Sequence, residues 1–217
     1  MDTSQVLPIL NDEEIRVLGS LIEKSRTTPD YYPMTLNSLT AACNQKSARK
    51  PVVDYDDETV VLALDSLKKK GLISTVSGGG SRVIKYKHNL AIVFPLVPAQ
   101  LAILCLLFLR GPQTPGELNT NSGRLYEFES LEEVQQVINQ LNENEIKYLV
   151  QLPKKIGQKE ARFMHLFQEE PRISDDDEPL EPARKSVTEL EQRVATLEEN
   201  YAQLKTDLAH LMKELMG

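Results

Sequence analysis

Residues Val60 to His88, VVLALDSLKKKGLISTVSGGGSRVIKYKH, decide the fold. Apolar residues recur at helical spacing from Val60 to Leu67, which predicts an amphipathic helix with one buried face. Gly71 follows three lysines and suits the left-handed residue that commonly ends a helix. Two runs rich in β-branched and aromatic residues then flank the turn sequence Ser77–Ser81, which predicts a β-hairpin. A helix that leads directly into a hairpin is typical of the second half of a winged-helix domain.

Two further predicted helices precede this segment. The first begins at Asn11, where Glu14 stands at the reciprocal position of a capping box. The second begins at Thr35, after a connection whose prolines resist helix formation. Three helices and a hairpin therefore predict a first winged-helix domain over residues 11–89.

The same order recurs in residues 97–169. A very apolar helix is predicted from Pro98 to Arg110, a short second helix follows a Gly-Pro break, and a capping box at Ser130 begins a third helix. Two strands, residues 147–152 and 161–165, complete the unit. The repeated order predicts a duplicated winged-helix domain and an α+β fold class.

The two predicted units can be aligned residue by residue. Leu67 and Leu72 are as far apart in the chain as Leu141 and Ile146, and each residue of the second pair lies 74 positions after its counterpart, an offset of 74. Tyr86-Lys87-His88 aligns with Phe163-Met164-His165 at an offset of 77. This alignment predicts a second wing that is three residues longer than the first.

The last part of the chain has a different composition. Residues 170–186 contain prolines and an acidic run, which predicts a flexible linker. Residues 187–216 follow a heptad pattern that favours a parallel two-stranded coiled-coil helix and therefore a homodimer. A long helix packed back on the winged helices is the alternative. The predicted dimerisation residues are Leu190, Val194, Leu197, Tyr201, Leu204, Leu208, Leu211 and Leu215.

Charge is unevenly distributed along the 217 residues. The net charge is −7 overall, yet residues 1–89 carry +1 and residues 171–217 carry −5. The global acidity therefore does not exclude a nucleic-acid partner, since binding depends on a local basic face. The two cysteines, the absence of a signal-peptide pattern and the short apolar runs lead us to expect a cytoplasmic protein with no membrane partner.

Several strings of residues resemble the YceH family of bacterial proteins. The resemblance covers roughly residues 12–217 and implies tandem winged helices with a presumed role in DNA binding. The strings are Thr27-Thr28-Pro29, Ala42-Cys43-Asn44-Gln45-Lys46-Ser47, Thr75-Val76-Ser77-Gly78, Gln113-Thr114-Pro115-Gly116-Glu117-Leu118 and Met164-His165-Leu166-Phe167.

Basic and polar residues cluster at two places in the first predicted unit, between its second and third helices and along its wing. In a winged helix these places can flank one groove-facing surface, where lysine and arginine attract phosphates. Three acidic residues, Asp56 to Glu58, begin the third helix and favour an ordinary solvated surface instead. The predicted DNA-binding residues are Asn44, Gln45, Lys46, Ser47, Arg49, Lys50, Arg82, Lys85 and Lys87.

Catalytic and metal-binding patterns are missing from the sequence. No histidine pair has metal-ligand spacing, no C-x-x-C motif exists, and the glycines of the wing do not lead from a strand into a helix as a phosphate loop would. We therefore expect no enzyme activity, no cofactor and no metal. The sequence favours a dimeric DNA-binding transcriptional regulator that docks through its first winged helix. The alternative is a non-catalytic scaffold that binds protein partners.

Overall fold

A computed structural model describes residues 6–77, 83–154, 158, 160–168, 201 and 205. The fold is mixed α+β, as the sequence predicts. Its helices are α1 (Asp12–Thr27), α2 (Leu36–Cys43), α3 (Asp57–Lys69), α4 (Leu90–Val93), α5 (Pro98–Arg110), α6 (Pro115–Ser122) and α7 (Leu131–Glu143). Its strands are β1 (Met34–Thr35), β2 (Ile73–Ser77), β3 (Ile84–His88), β4 (Leu149–Gln151) and β5 (Phe163–His165), and a short 3-10 turn spans Pro29–Tyr31.

The first half of the chain runs α1, β1, α2, α3, β2, β3. Its three strands form an antiparallel sheet in the order β1-β3-β2. The helix starts follow local rules, because Asn11 and Glu14 form the predicted capping box and Thr35 caps α2. Asp56 caps α3 by accepting a hydrogen bond from the Thr59 N–H at 2.8 Å.

The second half repeats this arrangement. Helices α2 and α6 both have 8 residues, and α3 and α7 both have 13. Strands β4 and β5 pair antiparallel, and Gln113 takes the edge position that β1 holds in the first half. The Phe163 N–H donates to the Gln113 carbonyl at 2.8 Å, and the Gln113 N–H donates back at 3.2 Å.

One of the two predicted alignments is wrong by two residues. The Leu72 N–H donates to the Leu67 carbonyl at the end of α3, and the matching bond after α7 runs from Tyr148, not Ile146, to Leu141. The turn after α7 is therefore two residues longer than the turn after α3, a difference that apolar spacing alone could not reveal. The offset of 77 is confirmed, because His88 lies opposite Ile73 and His165 lies opposite Leu149. Since Ile73 and Leu149 are 76 positions apart, the second hairpin is one residue longer than the first, and the predicted difference of three residues is wrong.

The two halves share one hydrophobic core. Every residue of α5 from Ala99 to Leu109 is buried. Helix α1 covers one side of α5, and α6, α7 and β5 of the second half cover the rest. Gly19 permits the close approach of α1, since a Cβ placed there would lie 3.0 Å from Leu109 Cδ2 and from Phe108 Cβ. Two repeats thus form a single packed body over residues 6–168.

The predicted linker and most of the predicted coiled-coil positions lie outside the described residues. Within the predicted coiled coil, the structure describes only Tyr201 and Lys205, and 71% of Tyr201 is exposed. Among the described helices, none has the length and apolar character needed to span a bilayer.

Candidate nucleic-acid interface

The loop between α2 and α3, residues 44–56, carries most of the predicted DNA-binding residues. The structure divides these residues into two groups according to the direction of their side chains. One group is turned inward and anchors the loop, and the other is exposed to solvent.

Arg49 belongs to the inward group, contrary to the sequence-based expectation. Its side chain has no exposed surface, and its guanidinium forms a two-pronged ion pair with Glu23 of α1, at 2.6 and 3.0 Å. It also donates to the Ala42 carbonyl at the end of α2, at 3.0 Å. Because these partners occupy the guanidinium inside the protein, Arg49 anchors the loop and does not belong to an exposed basic face.

The charge state of Glu23 follows from the same contacts. Burial alone would raise the pKa of Glu23, but the hydrogen bonds and the positive charge of Arg49 outweigh that effect and lower the pKa overall. Lys24 adds a smaller effect in the same direction, with its Nζ 3.3 Å from the Glu23 carboxylate. Glu23 is therefore ionised at neutral pH and keeps Arg49 paired.

Asn44 and Gln45 are half-buried, and their polar atoms also have internal partners. The Asn44 side chain donates to the Tyr55 carbonyl at 2.7 Å and accepts from the Tyr55 N–H at 2.8 Å. Gln45 Oε1 accepts from Arg49 at 3.1 Å and from Lys24 at 3.3 Å. These two residues therefore fix the shape of the loop, and the structure does not place them on an open surface.

Arg16 of α1 is a loop anchor that the sequence analysis missed. Only 4% of it is exposed, and it donates to the carbonyls of Cys43 at 3.3 Å and Pro51 at 2.6 Å. The signal that could have identified it is an arginine between apolar residues of the α1 stripe, since a buried charge needs internal partners. The Lys50 N–H adds another anchor by donating to the Leu109 carbonyl of α5, at 2.8 Å.

The outward group consists of Lys46, Ser47 and Lys50, which are all exposed. Ala48 lies between Ser47 and Arg49 with φ at 59°, a left-handed conformation that is uncommon for a residue other than glycine. The loop thus presents two lysines and a hydroxyl from a backbone that buried contacts hold in place.

Strand β3 contributes the second set of lysines. Its side chains alternate between the two faces of the sheet, and the His88 face lies against α1, where His88 Nε2 is 3.2 Å from Ser25 Oγ. Lys85 and Lys87 consequently lie on the opposite face, with Lys85 opposite Thr35 at the start of α2. Lys85 is exposed and Lys87 is half-buried, whereas Arg82 lies outside the described residues.

The exposed side of α3 is acidic and partly apolar from Asp57 to Asp65, and it is basic at the end of the helix, where Lys68 and Lys69 are exposed. Asp57, Glu58 and Asp65 are exposed there, and 66% of Leu62 is exposed among them. Phosphate groups would be repelled by these carboxylates, so α3 does not offer the basic face that a recognition helix normally presents.

The corresponding loop of the second half, residues 123–130, is anchored differently. Leu125 and Phe128 are buried and hold it through apolar contacts. Its exposed charges are Arg124, Glu127 and Glu129, so the loop carries no excess of positive charge. Of these two loops, only the one in the first half presents exposed lysines.

The histidines His88 and His165 end β3 and β5. Burial lowers the pKa of each to about 4, so both are neutral at pH 7, and the Nδ1 atom of each is buried without a hydrogen-bond partner. The part of the chain that the structure describes contains no group of three or more residues that could hold a metal ion.

Comparison with known proteins places the chain in a family. Residues 10–158 match a family model described as a protein of unknown function, DUF480. A UPF0502 protein of Shewanella loihica is 45% identical over 213 residues, which cover 95% of this chain and 99% of the relative. One from Shewanella halifaxensis is 44% identical over 211 residues (94% and 98%), and one from Shewanella baltica is 53% identical over 158 residues (71% of each). With the sequence resemblance to uncharacterised bacterial proteins thus confirmed, the chain belongs to the DUF480 family.

Proposed function

We propose that this protein consists of two winged-helix units and binds nucleic acid through the first of them. The element order α1-β1-α2-α3-β2-β3 and the sheet order β1-β3-β2 support the winged-helix assignment. The observation that carries the functional proposal is the anchored α2–α3 loop, which presents Lys46, Ser47 and Lys50 to solvent.

Anchoring matters because it reduces the entropic cost of binding. A flexible loop loses conformational entropy when it binds, and each ordered residue costs about 1–2 kcal/mol of backbone entropy. Arg49, Asn44 and Arg16 remove much of that cost before a partner arrives, because they fix the loop in the free protein. The exposed lysines are therefore preorganised for an anionic partner.

The charge distribution favours contacts with the phosphate backbone. Lys46, Lys50, Lys85 and Lys87 supply positive charge, whereas the acidic side of α3 disfavours entry into the major groove. Contacts of this kind fix position and contribute affinity but carry little base-sequence information. We therefore expect modest, salt-sensitive binding to duplex DNA.

A coiled coil over residues 187–216 would double the number of phosphate contacts. The heptad pattern of leucines supports a parallel homodimer, which would raise the affinity and its salt dependence together. Sedimentation tests this part: the full chain should have twice the mass of one chain, and deletion of 187–217 should return it to one. A full-length monomer would contradict the dimer.

The binding proposal is tested with random-sequence duplex DNA across a salt series. Replacement of Lys46 and Lys50 by Glu should weaken binding and lower the slope of log K against log salt by about 2, or roughly 0.9 for each lost phosphate contact. The matched control reverses two exposed charges of the second half, Arg124 and Lys147, and should leave the slope unchanged. No binding by the wild type at low salt would contradict the proposal.

A second candidate function is a scaffold that binds a protein partner. Exposed Leu62 with Glu58 and Asp65 on the same helix suits a basic, partly apolar protein surface better than it suits DNA. In that case the wild type would show no salt-sensitive DNA affinity, and Leu62→Asp would abolish partner capture while Lys46→Glu would not.

A further inference from the structure

A cavity of about 280 Å³ lies where the two halves meet. Its walls come from the first turns of α1, the α2–α3 loop, the end of α5 and the end of β5. At roughly 30 Å³ for each water molecule, the volume corresponds to about nine waters, so the cavity can hold a small organic molecule. It is at the lower end of the range of ligand pockets in proteins.

The cavity contains a buried cation without a direct ion-pair partner, although Asp12, one turn earlier on α1, acts on it electrostatically. Arg16 donates only to two backbone carbonyls, and no carboxylate lies within ion-pair distance of it in the residues that the structure describes. A guanidinium has five N–H donors, so Arg16 has donors to spare. Because a buried charge without a direct partner is costly, an anion that bonds to Arg16 in the cavity would be stabilised.

A second buried group supports the same conclusion. His165 lines the cavity at 3% exposure, and its Nδ1 atom has no hydrogen-bond partner. In the tautomer that protonates Nδ1, the ring can donate one hydrogen bond to an acceptor. Lys50 adds a positive charge at the rim, because it lines the cavity and remains exposed.

The rest of the cavity wall determines which other groups the ligand must have. Apolar wall comes from Ile15, Leu107 and Phe108, and Tyr55 adds an aromatic face. Asp12 also lines the cavity, but its carboxylate already accepts a hydrogen bond from Gln168 at 2.6 Å. Glu13 is the other acid there, and its charge disfavours a second anionic group on the ligand.

We propose that this cavity binds a small monocarboxylate with an apolar, preferably aromatic, body. The carboxylate accepts hydrogen bonds from Arg16 and His165 and pairs with Lys50. The body packs against Phe108 and Leu107. The proposal does not rest on the proposed function, but the two sites share Lys50 and the α2–α3 loop, so an occupied cavity would hold that loop in place and engage one of its two exposed lysines.

Benzoate, phenylacetate and hydrocinnamate serve as probes, each compared with its neutral amide. The full chain is titrated to millimolar concentration and followed by two-dimensional amide NMR. We expect the carboxylates to shift the resonances of cavity residues such as Tyr55 and His165 in a saturable way, and the amides to bind at least five-fold more weakly, as expected for the loss of an ionic contact.

Two lysine variants of the same loop supply the matched comparison. Lys50→Met removes a charge from the cavity rim and should weaken carboxylate binding about five-fold. Lys46→Met removes the same charge from a residue outside the cavity lining and should leave the affinity unchanged. The proposal is overturned if none of the carboxylates binds, if the amides bind equally well, or if both lysine variants lose the same affinity. Since no DNA is present, this result is separate from the test of the proposed function.

Discussion

The two halves of the molecule share an element order but differ in how they hold the loop before their third helix. In the first half, a buried ion pair between Arg49 and Glu23 anchors the loop, which exposes Lys46 and Lys50 in its first part and Asp54 and Asp56 next to α3. In the second half, Leu125 and Phe128 anchor it, and acidic residues predominate on its surface. The difference teaches that one scaffold supports two surfaces, and that basic residues in such a loop can be either buried anchors or exposed side chains.

The largest expected effect comes from removal of the polar anchor. Arg49→Met leaves the Glu23 carboxylate with Lys24 as its remaining ion-pair partner, so we expect the free energy of unfolding to fall by about 3 kcal/mol, the lower end of the range for a broken buried pair. Urea unfolding measures this change. Lys46→Met, a few residues earlier on the same loop, should stay within about 0.5 kcal/mol of the wild type. Equal stability of the two variants would show that Arg49 is not an anchor.

Acidification should lower the free energy of unfolding, because His88 and His165 are buried in their neutral form. Their pKa values are about 4 in the folded protein and about 6.5 in an unfolded chain, so only the unfolded state takes up these protons as the pH falls from 6.5 towards 4. Stability is therefore fully present above pH 6.5 and declines below it, by ~2 kcal/mol for each histidine at pH 5.

Urea unfolding at pH 7 and pH 5 measures this decline, with each variant compared with its own value at pH 7. His165→Leu removes one of the two titrating groups and should roughly halve the decline. A stability that does not change between pH 7 and pH 5 would rule out buried neutral histidines. The lowered pKa of Glu23 adds a further loss of stability only below its unfolded value of about 4.5.

A smaller effect should come from the packing of α1 on α5, which joins the halves. Gly19→Ala places a methyl group 3.0 Å from Phe108 Cβ and Leu109 Cδ2, and we expect a cost of about 1–3 kcal/mol, offset by up to ~1 kcal/mol of helix propensity. Gly123→Ala is the matched control, because Gly123 has helical φ and nothing within 4 Å of the added methyl group. Thermal unfolding should show Gly19→Ala as the less stable variant, and the reverse order would contradict the close packing.

Much of the fold could be predicted because it follows local rules. The capping box at Asn11 and the apolar stripe of α3 depend only on near neighbours in the chain, so their patterns are visible in the sequence. At Ser130 only half of the predicted capping box forms, because the Glu133 carboxylate accepts from the Glu129 N–H. The repeated order of elements predicted that His88 corresponds to His165, and the strand register confirms it. The two extra residues of the turn after α7 left no signal, since a turn's length is set by how the strand after it pairs.

The candidate site was only partly predictable. Lysine and arginine look alike in a charge count, but Arg49 can form a two-pronged pair with Glu23, a residue 26 positions earlier in the chain. Asn44 likewise bonds to the Tyr55 backbone, which lies nearby only after folding. Composition identified the right loop, but the direction of each side chain depends on tertiary contacts.

The central claim is that the first half carries the nucleic-acid surface and the second half does not. Amide hydrogen exchange of the full chain, with and without duplex DNA at low salt, tests this claim most directly. We predict added protection in residues 44–51 and 84–88 and no change in residues 123–143. Protection confined to residues 123–143, or no protection anywhere in the chain, would contradict the account.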